Sequence, residues 1–301
     1  MTLMGKTETS KGKKRRLRAA YEFSAGNVAA ARSADGYLID VSAARALPAG
    51  AITPNLGAAN VLNREPVLAA VRDVMSVLDS RTREVAAILP DAACRVVLLD
   101  LDVLPEKKED ADAVIRFRLK KSLPFDVERT HFSWQAQKVN DKLTVLAAVV
   151  MNTVLEEYES VLREAGLMPG IVLPSILAAL GQVDASVPTL VIKVDSLTTS
   201  IAIADHDALL LVRTLDHAAG WQPDAAQLAD DVYPSLVFFQ DAYGTKVEKI
   251  LVSGLDSLEE LNAALAENTG LRAQELVTAA RLGAGAATER TLLGGVAGAL
   301  A

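Results

Sequence analysis

Only one cysteine, Cys94, occurs among the 301 residues. A single thiol excludes an intramolecular disulfide and the paired CxxC motifs of zinc sites, and it suits a reducing compartment. Aromatic residues are also scarce, at 4% of the chain, whereas half of the residues are apolar. Cores built from small aliphatic side chains are typical of layered α/β proteins, so we predict that class rather than a β-sandwich or a nucleic-acid reader.

Long apolar runs are missing as well. The sequence contains no stretch of the roughly 18 apolar residues that a membrane-spanning helix needs. The basic N-terminus is followed by Ala19–Phe23, where a signal peptide would have its long apolar core. We therefore expect a cytoplasmic protein. The formal net charge of -7 argues against nucleic acid as a partner and against wholesale binding to anionic lipid.

The N-terminus is the exception to this acidic balance. It is polar, rich in Lys and Arg, and lacks apolar periodicity, so we predict that residues 1–17 form a disordered basic tail. Its candidates for contact with an anionic membrane surface are Lys13, Lys14, Arg15 and Arg16. A solvated arm that aids solubility is the other interpretation.

Strand and helix signals follow the tail. Residues 17–32, with a turn at 24–27, predict a β-hairpin, and the apolar spacing over residues 64–78 predicts a helix. Two strand–strand–helix units then extend over residues 84–166, which predict a compact α+β subdomain. Residues 18–186 are thus expected to form a first domain into which this subdomain is inserted.

A second α/β domain is predicted for residues 187–301. The stretch 181–188 marks the crossing between the halves, and alternating strands follow it. Residues 225–243 have the spacing of a long helix, and a strand at 247–252 is followed by a turn at Gly254. Both halves open with the same strand–strand–turn pattern, which indicates a duplicated fold.

Three segments, taken in this order, carry a family resemblance. A charged helix ends in Ser-Leu-Pro-Phe at 122–125, a hairpin opens at Val194-Asp195, and the strand at 250–253 leads into Gly254. Together they resemble the PilM-like branch of the actin-like ATPase superfamily, to which FtsA also belongs. The resemblance covers most of residues 19–301. It implies an α/β fold of two actin-like, ribonuclease H-like halves with an inserted α+β subdomain.

The resemblance also implies a nucleotide site, but the sequence departs from its pattern. Actin-like ATPases hold phosphate between two hairpins whose glycine-rich turns let backbone N–H groups approach oxygen closely. Ser24 and Leu197 stand where glycines are expected, and a left-handed non-glycine residue costs roughly 1–2 kcal/mol. The remnants of the site are Ser24, Gly26, Asp195, Thr198, Thr199 and Gly254. We expect no ATP hydrolysis; weak binding of ATP with Mg²⁺ is left open, and no other cofactor is expected.

Other catalytic arrangements are scarce. His131, His206 and His217 lie in a predicted strand, a hairpin turn and a loop, without an HExxH motif, nucleophile elbow or P-loop beside them. Asp and His are ordinary residues at hairpin tips, so the Asp-His-Asp run at 205–207 is interpreted as a turn and not as a cation site. We expect no metal site and no enzyme activity.

The resemblance therefore predicts a cytoplasmic scaffold at the inner face of the inner membrane. It would bind the short cytoplasmic N-terminal segment of a PilN-like bitopic protein in a groove, with the pilus motor ATPase and a second copy as further partners. The candidate groove wall is Leu123, Pro124 and Phe125, although Phe125 could instead fill the subdomain core. The alternatives are an active actin-like ATPase of the pilus machinery and the cytoplasmic domain of a GspL-like type II secretion protein.

Overall fold

A computed structural model describes residues 17–79, 81–218, 220–286 and 288–301. The strands in these ranges are β1 (Ala19–Phe23), β2 (Asn27–Arg32), β3 (Ile39–Ala46), β4 (Glu84–Leu89), β5 (Arg95–Leu101), β6 (Thr130–Val139), β7 (Lys142–Met151), β8 (Met168–Pro174), β9 (Thr189–Val194), β10 (Thr198–Asp205), β11 (Ala208–Asp216), β12 (Lys249–Ser253), β13 (Ala273–Glu275) and β14 (Leu282–Ala286). The helices are α1 (Arg64–Leu78), α2 (Lys108–Leu119), α3 (Asn152–Glu164), α4 (Ser175–Ala179), α5 (Ala225–Tyr243), α6 (Glu259–Thr269) and α7 (Gly294–Ala299). Among the described helices, none is both long and apolar enough to cross a membrane.

The first half is built on a six-stranded mixed sheet in the order β14-β3-β2-β1-β4-β8. The predicted hairpin is confirmed, because β1 and β2 pair antiparallel through residues 19–32. Side chains on both faces of β1 are buried, as expected for a strand covered by helices on both sides. The apolar faces of α1 and α3 cover one face of the sheet, and α4 and α7 cover the other.

The second half is built on a five-stranded sheet in the order β11-β10-β9-β12-β13. Its strands β9, β10 and β11 form the predicted run of antiparallel neighbours, while β12 pairs parallel with β9 and β13. The predicted helix at 225–243 is confirmed as α5, which packs with α6 on one face. The buried side chains of α4 contact the opposite face.

The predicted inserted subdomain contains a third, smaller sheet. Its sheet has the order β5-β7-β6 and is covered by α2, whose Ile115 and Leu119 are fully buried. The predicted start at residue 84 includes β4, which instead lies in the six-stranded sheet between β1 and β8. The side chains of β4 from Val85 to Leu89 are buried on both faces, which a parallel interior strand requires.

Two further segments differ from the sequence-based reading. No strand was predicted for the residues of β8, because Pro169 and Pro174 weaken the strand pattern. Both prolines are tolerated because β8 lies at the edge of its sheet. Strand β14, from the predicted second domain, pairs with β3 of the first sheet, and α7 packs against α4. The division of the chain into domains stays a prediction.

Helices α4 and α7 cross with their backbones in close contact. A Cβ added at Gly298 of α7 would overlap the carbonyl oxygen of Ala178 in α4. Only a glycine allows this approach, because a backbone carbonyl cannot rotate away as a flexible side chain can. The crossing lies between the two large sheets, since α4 contributes to the cores on both sides.

We predict that Gly298→Ala destabilises the protein by about 1–3 kcal/mol, because overpacking outweighs the better helix propensity of alanine. Gly57→Ala is the matched control, since a Cβ at Gly57 meets nothing within 4 Å. Urea unfolding followed by circular dichroism measures both changes. Equal midpoints for the two variants would contradict the close crossing.

Candidate functional site

The two predicted phosphate turns follow strands that meet where the two large sheets adjoin. Glu22, two residues before Ser24, forms an ion pair with Lys193, two residues before Asp195. The contact joins the end of β1 in the first sheet to the end of β9 in the second. The structure thus brings together the hairpin turns that the sequence analysis singled out, and it adds a buried pair of charges between them.

The first turn is closed by its own side chain. The hydroxyl Oγ of Ser24 accepts hydrogen bonds from the backbone N–H groups of Gly26 at 3.3 Å and Asn27 at 3.0 Å. These N–H groups are the ones a phosphate oxygen would require in a glycine-rich turn. Ser24 therefore occupies the hydrogen-bonding capacity that a ligand would use.

The second turn is closed in a similar way. The carboxylate of Asp195 accepts from the backbone N–H of Ser196 at 2.6 Å, and the N–H of Asp195 donates to the carbonyl of Thr198 at 2.8 Å. Thr198 is buried, and so is Thr199, whose Oγ1 lies 2.8 Å from Nε2 of His217. The carbonyl of Leu197 accepts from the N–H of His217 at 2.8 Å. The turn is thus held by contacts within the second half.

Gly254 allows two backbone segments to pack closely against each other. Its φ of 96° lies in the left-handed region, and a Cβ there would overlap the carbonyl oxygen of Val194 at the end of β9. The loop after β12 therefore lies directly on the second turn. Several backbone N–H groups of the two turns are thus hydrogen-bonded within the protein, and the loop after β12 packs on the second turn.

Four polar groups meet behind the turns. Lys193 Nζ lies 2.9 Å from Glu22 Oε1, and these side chains are 13% and 7% exposed. Ser175, the first residue of α4, donates its hydroxyl to the same oxygen of Glu22. Asp91 follows β4 and accepts the N–H of Ile176 at 2.9 Å. The start of α4 is therefore held by carboxylates, as expected for the positive end of a helix.

Burial dominates the electrostatics of this cluster. It raises the pKa of Asp91 from 3.8 to about 6, against the opposing effect of the Lys193 charge and of hydrogen bonds from Ile176 and Ser200. Burial alone lowers the pKa of Lys193, but the carboxylates of Glu22, Asp195 and Asp91 reverse this, and the net direction is upward. Lys193 is thus a buried ammonium that stays charged.

Lys193, Asp91, Ser175 and Glu22 were not among the predicted site residues. One signal was present. Lys193 and Glu22 are single charges inside otherwise apolar strands, and a buried charge needs a partner. The partner itself could not be found from the sequence, because it lies in the other half of the chain.

A groove of about 1610 Å³ lies between the inserted subdomain and the six-stranded sheet. Its two walls are β6 and β8, each an edge strand of its own sheet. Leu155 of α3 and Val150 of β7 also line the groove. Edge strands present backbone groups that no neighbouring strand uses, so the groove has the properties of a site for an extended peptide.

Polar and aromatic side chains fix the subdomain wall of the groove. Trp134 donates from Nε1 to Asp112 of α2 at 2.6 Å, and the guanidinium of Arg116 lies 4.8 Å from the ring centre of Phe132. All four side chains line the groove. These contacts between α2 and β6 hold the wall before any partner arrives.

The predicted wall residues lie elsewhere. Leu123 is buried in the subdomain core, and Phe125 packs between that core and the core beneath α1 and α3. Neither they nor Pro124 are among the described residues that line the groove. This placement agrees with the alternative in which Phe125 fills a core, and a partner-binding role of the three residues stays a prediction.

The histidines do not converge. His131 lines the groove, His206 is at the β10–β11 turn, and His217 stacks on Trp221 at 3.7 Å between ring centres. Across the described ranges, no three His, Cys, Asp or Glu side chains are grouped so that they could hold a metal ion. The membrane-surface candidates Lys13, Lys14, Arg15 and Arg16 lie outside the described residues.

Comparison with known proteins reveals the fold. No family of protein sequences and no curated protein matches the chain. Among solved structures, the PilM–PilN type IV pilus biogenesis complex matches with a TM-score of 0.77 at 16% identity, over 95% of this chain and 97% of that chain. The cytoplasmic domain of EpsL from the Vibrio cholerae type II secretion system matches with 0.58 at 15% identity, over 87% and 91%. The ethanolamine utilization protein EutJ from Carboxydothermus hydrogenoformans matches with 0.51 at 10% identity, over 94% and 88%.

The protein therefore has the actin-like two-sheet α/β fold of these structures. Within it, the resemblance to PilM that the sequence indicated is confirmed for the fold, across nearly the whole of both chains. Sequence identities this low show the architecture alone, so function depends on the site.

We predict that Asp91 gives the stability of the protein a distinct pH dependence. Its folded pKa of about 6 lies above the ordinary 3.8, so its stabilising protonated form is fully present below pH 3.8 and is lost as the pH rises through 6. Asp91→Asn keeps an acceptor for Ile176 without this titration. The unfolding free energy of the wild type relative to the variant should rise by up to about 3 kcal/mol between pH 7 and pH 4.

Urea unfolding of both proteins at a series of pH values measures this difference. The variant is its own control for all other titrating groups, because these are common to both proteins. A difference that stays constant with pH would show that Asp91 titrates normally.

Proposed function

We propose that the protein is a non-catalytic scaffold of type IV pilus assembly that binds the cytoplasmic N-terminal segment of a PilN-like inner-membrane protein. The observation that supports it most is the groove between β6 and β8, in a chain with the fold found in the PilM–PilN complex. Its volume of about 1610 Å³ exceeds the roughly 300–1,000 Å³ of small-molecule pockets, which favours a segment of polypeptide.

The peptide would pair with β6. Strand β8 has Pro169 and Pro174, which have no N–H to donate, whereas β6 has no proline along its length. An added strand on β6 would therefore form regular backbone hydrogen bonds, while apolar side chains of the peptide would contact Leu155 and Val150. Moderate affinity suffices, because a membrane anchor supplies a high local concentration.

Absence of ATP hydrolysis is the second part of the proposal. It is supported by the internal satisfaction of both turns by Ser24 and Asp195 and by the closed loop at Gly254. The alternative of an active actin-like ATPase requires turn N–H groups that are free for phosphate. Binding of ATP with Mg²⁺, if any, would then be weak.

A role in type II secretion, as a GspL-like cytoplasmic domain, is the remaining alternative. It is supported by the likeness to the cytoplasmic domain of EpsL, with a TM-score of 0.58 against 0.77 for the PilM–PilN complex. The better superposition favours the pilus reading. In either system the protein would act in the cytoplasm at the inner face of the inner membrane, held there by its partner. Contact with the motor ATPase, self-association and a membrane role of the basic tail stay predictions.

We predict that a peptide copied from the cytoplasmic N-terminus of the PilN-like partner binds with micromolar affinity, about 8 kcal/mol. Ser133→Trp should weaken this binding at least tenfold, because Ser133 is exposed and lines the groove. Isothermal titration calorimetry of wild type and variant measures the change. Lys138→Trp is the control, since Lys138 is exposed on the same strand but is not among the groove-lining residues. Equal loss of affinity in both variants, or no binding by the wild type, would count against this groove.

We also predict that the purified protein turns over no ATP above a buffer control, with Mg²⁺ present. A coupled phosphate-release assay measures the rate, and Asp195→Ala serves as the comparison. Turnover that disappears in Asp195→Ala would overturn the non-catalytic reading, because it would require Asp195 to act on a bound nucleotide.

A further inference from the structure

The two halves of the protein share one buried pair of opposite charges. Glu22 belongs to the six-stranded sheet and Lys193 to the five-stranded sheet, and their charged atoms lie 2.9 Å apart. Neither side chain is more than 13% exposed. An ion pair within one half would stabilise only that half, whereas this contact exists only when both halves are in their present arrangement.

Lys193 balances more than one carboxylate. Glu22 and Asp91 come from the first half and Asp195 from the second, and all three act electrostatically on the ammonium of Lys193. Among the described residues, Glu22 Oε2 has no hydrogen-bond partner, and it faces Gly295 of α7, where a Cβ would lie 2.5 Å away. Lys193 is therefore the main counter-charge of Glu22.

The pair lies where the chain passes between the halves. Ser175 at the start of α4 donates to Glu22, and Gly295 at the start of α7 packs on the same carboxylate. These two helices cross between the sheets with backbone contact at Gly298. A rotation of one half against the other would pull Lys193 away from Glu22 and leave an unpaired charge in a buried place, which is strongly unfavourable.

We propose that the ammonium of Lys193, through its ion pair with Glu22, holds the two halves of the protein in a single arrangement without any bound ligand. The ammonium supplies the positive charge that balances carboxylates of both halves where the two sheets meet. Because Ser24 and Asp195 hydrogen-bond the backbone of the turns on either side, groups of the protein itself hold this arrangement.

The test measures stability and inter-half distance in the same variants. Lys193→Met keeps most of the side-chain volume but removes the charge, and Glu22→Gln removes the opposite charge. Lys193→Met should lower the thermal midpoint by roughly 5–10 °C, since it leaves Glu22 buried without its partner. The double variant should regain at least half of that loss, because residue 22 then carries no buried charge that lacks a partner.

Distance is measured between spin labels on Leu62→Cys in the first half and Phe238→Cys in the second, both exposed positions. Cys94 is buried, and burial raises the pKa of its thiol, so it does not compete for label. In the wild type, the distribution of distances between the two labels should be narrow, and adding ATP with Mg²⁺ should not change it. It should be at least twofold broader in Lys193→Met and in the double variant, because both lack the bond between the halves.

Arg64→Met is the matched control, since the Arg64–Glu164 pair is exposed and lies within the first half. It should leave the distance distribution narrow and the midpoint within roughly 2 °C of the wild type. A narrow distribution of label-to-label distances in the double variant would overturn the proposed role of Lys193, even if Lys193→Met fails to fold. A wild-type distribution that shifts with ATP and Mg²⁺ would overturn its independence of ligand.

Discussion

Desolvation of charge at the junction of the two sheets constrains much of this structure. Glu22 and Lys193 can be buried there only as a pair, and each additional polar contact around them lowers the cost of that burial. The hydroxyl of Ser175 reaches the same carboxylate, and the lack of a side chain at Gly295 leaves room for its second oxygen. The positions of α4 and α7 are thus tied to one electrostatic requirement.

The two turns near this ion pair are likewise held by hydrogen bonds within the protein. A tight turn must satisfy its backbone N–H groups, and a ligand, water or a side chain can do so. Ser24 and Asp195 supply this within the protein. The two turns are thus held in part by side chains of the protein itself, and this supports our proposal of partner binding rather than catalysis.

The groove follows from a different constraint, the need to protect sheet edges. Strands β6 and β8 end their sheets and face each other across one groove, so each limits the access of other chains to its neighbour. Prolines on β8 remove donors from that edge, whereas β6 keeps its own. This surface is the one on which we propose that an extended segment adds a strand to β6.

Local sequence patterns predicted the parts of the fold that depend only on residues close together in the chain. The hairpin at 17–32, the helices α1 and α5 and the strands β9 to β11 all appear where alternation or helical spacing indicated them. Strand β8 was missed because prolines hide an edge strand. The placement of β4, β14 and α7 depends on pairing between distant segments, which periodicity does not encode.

For the candidate site, the sequence by itself placed Ser24 and Leu197 where the family resemblance implies glycines, and it placed Lys193 as a charge within an apolar strand. It also suggested Leu123, Pro124 and Phe125 as the wall of a partner groove, which stays a prediction, and the structure packs Leu123 and Phe125 at the subdomain core. Only the tertiary structure decided that Lys193 pairs with Glu22 and that two sheet edges face each other. Residue type and spacing determine what a side chain can do, but its partner depends on which distant segments the packing of the cores brings together.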